Sequence, residues 1–547
     1  MTIIQSNTPD LLPKKDVGGI QFTFEGASTI EQVAVAGTFN CWVGDTYPLA
    51  RISATRWQAT LPIATGRHLY KYVVSQHGEQ HWIPDPANPW ISEDGQNNSC
   101  FTVNESGDAL IRLGAINAAT PGDLYQLHRA LASPEWLKDA VIYQLSTAAF
   151  GGDFKGVKAR LPYLCDLGID VIWLMPIYPI GQKGRLGAKG DPYAVFDFGS
   201  LDLALGSAAE LRDLIDEVHR LGMRILLDWT LNRSSCDNPL TVSHPDWFTH
   251  DAEGEIYYAV PFRTYFAGFD FSHQDLRSYL IQTMQTWLVE FNFDGFRFDD
   301  SDITPLDFLN EIRAALVQTK PDIGIISQAY DEFHHLAACD LTYEGGTRDM
   351  ILHIAAGTAT AADFAQYWNA STYSFPRDAL RLRWIEDKEQ GRAAQFYGTA
   401  LHRAAAAIIL TLDGVPHILM GQEFNEPRWH TWTSLFEEFQ LDWSAFDQAS
   451  FTHYQALIQL RRQTPALRQD TLEFLCDAAP GLIAYWRGAG EDKVLVLVNL
   501  NKHEVRLPPT VAPLDILYAQ GLDDAADAAK TLAAFGCVIG RIHTIAS

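Results

Sequence analysis

The stretch DAVIYQLSTAAFGGDFKGVKARLPYLCDLGIDVIWLMPIY, residues 139–178, sets the fold. It holds the first two of eight short apolar runs, VIYQL (141–145) and DVIWLM (170–175). The others are RILLDW (224–229), GFRFD (295–299), GIISQ (324–328), DLTYE (340–344), LRLRWI in the 380s and HILMG (417–421). Amphipathic stretches such as SAAELRDLIDEVHRLG (207–222) and DFLNEIRAALVQTK (307–320) alternate with them. Strands alternating with helices imply βα units and a parallel sheet, and eight such units over about 300 residues match a (β/α)8 TIM barrel, whose active site lies at the C-terminal strand ends. The gap at about 230–294 is too long for one helix and holds HPDWF (244–248) and DAEGEIYY (251–258). It is expected to be a loop excursion over the barrel mouth.

Outward from the barrel the periodicity changes. Residues 19–105 carry short alternating segments (IQFTF, QVAVAG, WQATLPI, LYKYVVS) separated by turn residues, the signature of an antiparallel β-sandwich. An Ala- and Leu-rich linker is expected over 106–135 and a tail over 1–18. The barrel then spans 136–468, and period two returns in LIAYWRG (482–488) and KVLVLVNLN (493–501), predicting a C-terminal β-sandwich over 469–547. The length of 547 residues allows roughly three or four domains. A hydrophobic fraction of 47% with 15 Trp, 20 Tyr and 29 Phe belongs to a chain with large cores, not a disordered one.

A net charge of −26 repels a phosphate backbone, so nucleic acid is not an expected partner. No uninterrupted run of about 18 apolar residues occurs and the start, MTIIQSNTPDLLPKKD, has no apolar run behind a basic segment, which reads as a soluble, cytoplasmic protein without a membrane partner. Seven scattered cysteines without CxxC spacing fit reduced thiols.

Charged and polar side chains recur at the ends of the runs: Asp228 with Asn232 after the third, Arg297 and Asp299 in the fourth, Gln328 in IISQAY and Glu389 in WIEDKEQGR. Asp299 closes an apolar strand just after Arg297, whose charge favours its ionised form. A retaining glycosidase needs a carboxylate nucleophile and a proton donor about 5–5.5 Å apart, and Asp299 has the chemistry of the first.

Taken in order, DAVIYQL, the segment through VIWLMPIY, KGDPYAVFDF (189–198), HRLGMRILLDWTLN (219–232), NFDGFRFD (292–299) and GVPHILMGQEF (414–424) resemble glycoside hydrolase family 13, the α-amylase family, over nearly the whole chain. The resemblance implies Asp299 as nucleophile, Arg297 as its orienting partner, Asp228 and Asn232 as a structural pair, and Tyr193 as a ring that stacks on sugar. VAVAGTFNCW (33–42), WQATLPIATGRHLYKYVV (57–74) and HWIPDPANPW (81–90) resemble a family 48 carbohydrate-binding module, which implies glucan contacts at Trp42, Lys71 and Trp82. These aromatics equally suit burial against the barrel. The family also places a calcium ligand at Asn232; no cofactor is otherwise required.

The chain departs from the family where the chemistry is done. Gln328 stands where the general acid is expected, and an amide has no acidic proton to give. Asp387, Lys388 and Glu389 replace Asn-His-Asp after strand seven, and Arg233 replaces the histidine after Asn232. Two neutral histidines thus become the cations Arg233 and Lys388. The loop GQKGRLGAKGD (181–191) adds Lys183, Arg185 and Lys189 near the same face, and EPRWHTW (426–432) offers Trp429 and Trp432.

Two outcomes follow. Either the new cations pair internally with Asp299, Glu389 or Asp302 and silence the pocket, or the pocket takes an anionic or unusual sugar with Glu389 or Asp300 moving the proton. The expected function is retaining hydrolysis or transfer at α-glucosidic bonds of an α-glucan or oligosaccharide, with Glu389 as charge stabiliser; the alternative is a silenced α-glucan-binding pseudoenzyme. Oligomeric state stays open.

Overall fold

Eight parallel strands close a barrel in chain order: β1 (Ile142–Leu145), β2 (Val171–Leu174), β3 (Arg224–Thr230), β4 (Gly295–Asp299), β5 (Gly324–Ser327), β6 (Leu341–Glu344), β7 (Leu380–Arg383) and β8 (Val415–Leu419), with β8 pairing back to β1. The computed structural model describes residues 11–64, 66–88, 91, 97–103, 107–111, 128–258, 263–428, 432–475, 478–507, 514–523 and 530–542. Both faces of every barrel strand are covered, which is why the runs read as continuously apolar. Alternate residues serve different cores: Ile142, Val171, Leu226, Ile326 and Val415 fill the barrel interior, whereas Tyr143, Ile172, Leu227, Phe296 and Phe298 pack outward against the helices. The inward parity of Leu226 carries on to Asp228, and that of the residue between Phe296 and Phe298 places Arg297 inside, with Asp299 next on the same side.

All eight expected runs are strands of this barrel. The excursion is shorter than expected. Its last third is an 18-residue helix, Gln274–Phe291, which leads into β4. What remains is built around a two-stranded ribbon, Arg233–Ser235 with Phe266–Gly268, and a helical turn at Pro245–Trp247.

The N-terminal module is a sandwich of two antiparallel sheets around Phe22, Phe24, Trp57, Tyr72 and Phe101. It begins before residue 19, because Lys14–Asp16 pairs with Gly19–Gln21 across a tight turn at Gly18, whose φ of +99° suits glycine. The expected linker lies mostly outside the described residues, which resume at 128. A buried ion pair, Arg67 Nη1 to Glu332 Oε2 at 2.8 Å, ties the module to the barrel.

The C-terminal domain is one six-stranded antiparallel sheet among the described residues, where two packed sheets were expected. Its period-two strands present Ile483, Tyr485, Val496 and Val498 to the barrel core, and Leu482, Ala484, Leu495 and Leu497 to a smaller core opposite. The barrel helix Gly398–Thr411 packs on this sheet and takes the place of the second layer. Among the described residues no helix is long and apolar enough to cross a membrane.

Candidate active site

Strand register assembles the site. Asp228 of β3 lies beside Arg297 of β4, and Thr230 beside Asp299, so the inward residues of both strands meet at the barrel mouth. Arg297 is fully buried. Its Nη1 donates to Asp228 Oδ1 at 2.9 Å and to Asp299 Oδ1 at 2.6 Å. Its Nη2 donates to Tyr343 Oη at 3.0 Å and to Gln328 Oε1. Asp228 Oδ2 accepts from Trp173 Nε1 at 2.9 Å and from Tyr193 Oη at 2.8 Å. Burial pushes the Asp228 carboxyl up from its ordinary value while Arg297 opposes the shift.

Asp299 is 2% exposed, and both of its oxygens are engaged. Oδ1 faces Arg297 and, at 3.6 Å, Lys388 Nζ. Oδ2 accepts from Arg233 Nη2 at 2.6 Å. Burial raises the Asp299 carboxyl, but Arg297, Lys388 and Arg233 outweigh it and hold the group well below the usual carboxylate range. Asp299 is therefore ionised and enclosed by three cations.

Arg233 and Lys388 are both committed to this network. Arg233 Nη1 donates to Asn232 Oδ1 at 2.7 Å and to Asp300 Oδ2, and its guanidinium sits 4.4 Å from the Phe266 ring centroid. Lys388 is 2% exposed, donates to Glu389 Oε1 at 2.5 Å and lies 4.7 Å over the Tyr193 ring. Burial disfavours the Lys388 ammonium, yet Glu389 together with Asp299 raises its pKa above the ordinary value. The mouth thus holds Arg233, Arg297 and Lys388 against Asp228, Asp299, Asp300 and Glu389 in contiguous pairs.

Gln328 is built in as an acceptor. Its Oε1 takes Arg297 Nη2 and the Asp300 backbone N–H at 3.2 Å. Asp300 itself stands at φ +45°, a left-handed conformation that Asp tolerates, and starts the turn Ser301–Ile303. Glu389, with its side chain 36% exposed, is the group of the network most open to solvent.

The structure brings Asp228, Arg233, Arg297, Asp299, Gln328, Lys388 and Glu389 together as one cluster. It does not leave Tyr193 as a stacking surface: the ring is 3% exposed beneath Lys388. A sugar ring needs an open aromatic face. Asn232 does not fit calcium either, because the oxygen that would bind the ion accepts from the Arg233 guanidinium, and among the described residues no group of three His, Cys, Asp or Glu is placed to hold a metal. Arg185 donates to Gln182 Oε1 and Ala188 O, tying its own loop together. Trp429 and the side chain of Trp432 lie outside the described residues.

On the module, Lys71 pairs with Ala36, and Val73 with Ala34 and Trp82, so Lys71 and Trp82 share the outer face of the sheet, with Trp82 40% exposed. Trp42 is half-buried in the turn after Thr38–Asn40, at φ +62°.

Sequence reasoning missed Tyr343, Trp173, Tyr258 and Asp191. Asp191 accepts from the Tyr193 backbone and from Tyr265 Oη at 3.0 Å. It stands inside the KGDPY segment, the one signal that marked it.

The α-amylase catalytic-domain family matches residues 134–241, and carbohydrate-binding module 48, the isoamylase N-terminal domain, matches residues 15–88. The α-amylase MalA of Haloarcula japonica is 24% identical over 444 residues, covering 76% of this chain and 64% of that protein. A cyclomaltodextrinase from a Bacillus species is 24% identical over 502 residues, covering 82% of this chain and 84% of its own. The crystal structure of a maltogenic α-amylase, AmyB of Thermotoga neapolitana, superposes with a TM-score of 0.67 at 26% identity, covering 74% of this chain and 99% of that one.

Proposed function

The chain belongs to glycoside hydrolase family 13, the α-amylase family, with a family 48 module ahead of its barrel, and from that premise we propose that it recognises α-glucan chains without hydrolysing ordinary α-glucosidic bonds. The observation that carries this reading is the double engagement of Asp299, whose Oδ1 is held by Arg297 and Oδ2 by Arg233. Each carboxylate oxygen keeps a second lone pair, but Arg233 Nη2 at 2.6 Å and the near-complete burial of Asp299 close off the approach to Oδ2, and moving Arg233 aside parts a buried carboxylate from a buried guanidinium, a change that costs about 3–5 kcal/mol when one partner is lost outright. The leaving oxygen of an ordinary glycoside also needs a proton, and Gln328 has none to give. Asp300, the neighbouring carboxylate, is itself paired with Arg233.

Recognition falls to the module. Trp82 and Lys71 on its outer face combine a ring that stacks on pyranose with a donor to hydroxyls. The likeness to a cyclomaltodextrinase supports α-glucan as the ligand class. Six cysteines among the described residues are thiols outside any disulfide, which supports a reducing compartment such as the cytoplasm.

A second reading, glycosyl transfer or hydrolysis from a donor whose leaving group needs no proton, is favoured by the ionised state of Asp299 beside Arg297. Glu389 would then stabilise the oxocarbenium-like state. Parallel incubation with maltoheptaose and α-maltosyl fluoride tests both readings, because fluoride departs with little help from an acid. Binding of maltoheptaose with neither substrate cleaved is the expected result. Fluoride release abolished by Asp299→Asn establishes the second reading, and cleavage of maltoheptaose at enzyme-like rates overturns the first.

A further inference from the structure

The module reaches the barrel centre through a short turn. Thr38–Asn40 packs against Ser301–Ile303, the turn that directly follows Asp300. Cys41, next in the chain, packs on the barrel core, and Val43 is 6% exposed. Cys41 stands at φ +52° and Trp42 at φ +62°. Two successive non-glycine residues in the left-handed region are uncommon, and such strain persists only where the surroundings over-determine it. Asn40 is one such constraint: its Oδ1 accepts from the Gly37 N–H at 2.8 Å and its Nδ2 donates to Val43 O at 3.0 Å, closing the turn on itself.

This turn stands behind the residues that hold Arg233. Asn232 Oδ1 accepts from Arg233 Nη1 at 2.7 Å, and Asn232 Nδ2 donates at 3.2 Å to Tyr258 Oη, whose ring centroid lies 5.7 Å from the guanidinium. Asp300, also paired with Arg233, leads straight into Ser301–Ile303. Cys41 and Val43 of the module face Asn232, Tyr258 and Ile303 across a gap of about 10 Å³. That is room for about one water at most, and a guanidinium is larger. Arg233 leaves Asp299 on this side only if the module turn gives way. A second anchor ends on the next loop, since Arg67 pairs at 2.8 Å with Glu332, on the segment that Gln328 begins. The module thus grips the loops after β4 and β5, which carry Asp300 and Gln328.

We propose that residues 38–43 of the module are an autoinhibitory brace that keeps Arg233 seated on Asp299, so that access to the carboxylate depends on how the module is docked. This brace presupposes the reading that Arg233 silences Asp299 and supplies what enforces it. When the brace yields, Asn232 and Tyr258 gain room, Arg233 turns away from Oδ2, and Asp299 regains an approach for a donor whose leaving group needs no proton. With α-maltosyl fluoride, Asp299 Oδ2 bonds to the anomeric carbon as the C–F bond breaks and fluoride leaves with the electron pair. Water then hydrolyses the resulting ester to maltose, which returns the carboxylate and releases a proton.

Val43→Ala and Asn40→Ala slacken the brace in the full chain, whereas Val43→Ile keeps the gap filled. Val74→Ala, beside Val33 in the module's own core, is the control for general loss of module stability. Hydrogen exchange of segments 232–235 and 299–303, read by mass spectrometry, and fluoride release from α-maltosyl fluoride are measured on each variant and on the unaltered chain. Both slackened variants are expected to exchange faster in the two segments by roughly threefold or more. They are also expected to release fluoride roughly tenfold or more faster than the unaltered chain, a gain abolished by adding Asp299→Asn. Val43→Ile and Val74→Ala are expected to change neither quantity. Silence of both slackened variants, or a gain in only one of the two quantities, overturns the brace while the reading of Arg233 stands. The same gains in Val74→Ala overturn it too, because loosening the module anywhere would then suffice. Release of fluoride by the unaltered chain, dependent on Asp299 and as fast as in the slackened variants, overturns the brace and the reading of Arg233 together.

Discussion

Arg233 Nη2 lies 2.6 Å from Asp299 Oδ2, so a cation of the chain itself occupies the oxygen that faces away from Arg297. The two residues are 66 positions apart in sequence, on the ribbon that follows β3 and at the end of β4. With Lys388 3.6 Å from Oδ1, Asp299 lies against three cations of its own chain.

On the proposed reading, a single substitution at Gln328 is expected to be ineffective. Gln328→Glu alone supplies an acid but leaves Arg233 and Lys388 on Asp299, and is expected to yield no measurable reducing ends from maltoheptaose. The combined variant Arg233→His, Gln328→Glu, Lys388→His and Glu389→Asp removes both caps and restores the acid. Its rate is expected to exceed that of the variant lacking only Gln328→Glu by roughly 10²–10⁴, the usual contribution of general acid catalysis. Reducing-sugar release at saturating maltoheptaose measures both.

Asp299→Asn is expected to destabilise the fold by about 3–5 kcal/mol, because it leaves buried cations without a compensating charge. In an open active site, loss of a catalytic carboxylate commonly leaves stability unchanged or improved. Urea denaturation followed by Trp fluorescence separates the cases by the sign of the midpoint shift. The charge of Asp299 is also a pH-dependent source of stability. Its folded pKa is depressed, so the contribution is present above the unfolded value of about 3.9 and is lost as pH falls through the folded one.

Glu423 is predicted to act in the opposite sense. It is fully buried just after β8, with Oε1 accepting from Tyr143 Oη at 2.9 Å and from Tyr163 Oη, and with Oε2 lacking a hydrogen-bond partner among the described residues. Burial raises its carboxyl to about 7 against the hydrogen bonds from the two tyrosines, which lower it. A raised carboxyl favours the protonated folded state, so stability from this group falls as pH rises from about 4.5 to 7 and is level above that. Glu423→Gln is expected to be nearly neutral at pH 4.5 and to stabilise by on the order of 2–3 kcal/mol at pH 8, read from melting curves at the two pH values.

Arg67→Ala is expected to cost up to about 3–5 kcal/mol at the module–barrel junction, since Glu332 is 1% exposed and loses the cation paired with it at 2.8 Å, Arg381 remaining to offset part of its charge. The pair Arg67→Met with Glu332→Leu removes both charges and is expected to recover most of the loss. A double-mutant cycle by differential scanning calorimetry, with limited proteolysis as a readout of module release, measures the coupling. Equal losses in the single and the double variant would show that the ion pair does not fasten the module.

The sequence by itself determined the eight barrel strands, the module and the residues that meet at the mouth, because strand and helix leave local periods of two and 3.6 and strand ends mark the C-terminal face. It also placed an amide, Gln328, at the end of the fifth strand, which is a matter of residue identity. Only the tertiary structure decided where Arg233 and Lys388 direct their charges. The sequence allowed either an internal network or a cationic pocket open to an anionic sugar, and the register that sets Thr230 beside Asp299 brings the Arg233 ribbon within reach of the carboxylate. Tyr193 illustrates the same limit: its motif marks a site residue, yet its exposure depends on Lys388, 195 positions away, lying over the ring. The C-terminal strands alternate as a sandwich would, but which surface covers the inner face is a question of docking, and the barrel helix Gly398–Thr411 answers it. Periodicity records the burial of a face and not the identity of its partner, whereas ion pairing and docking depend on through-space distances that arise only once distant segments are brought together.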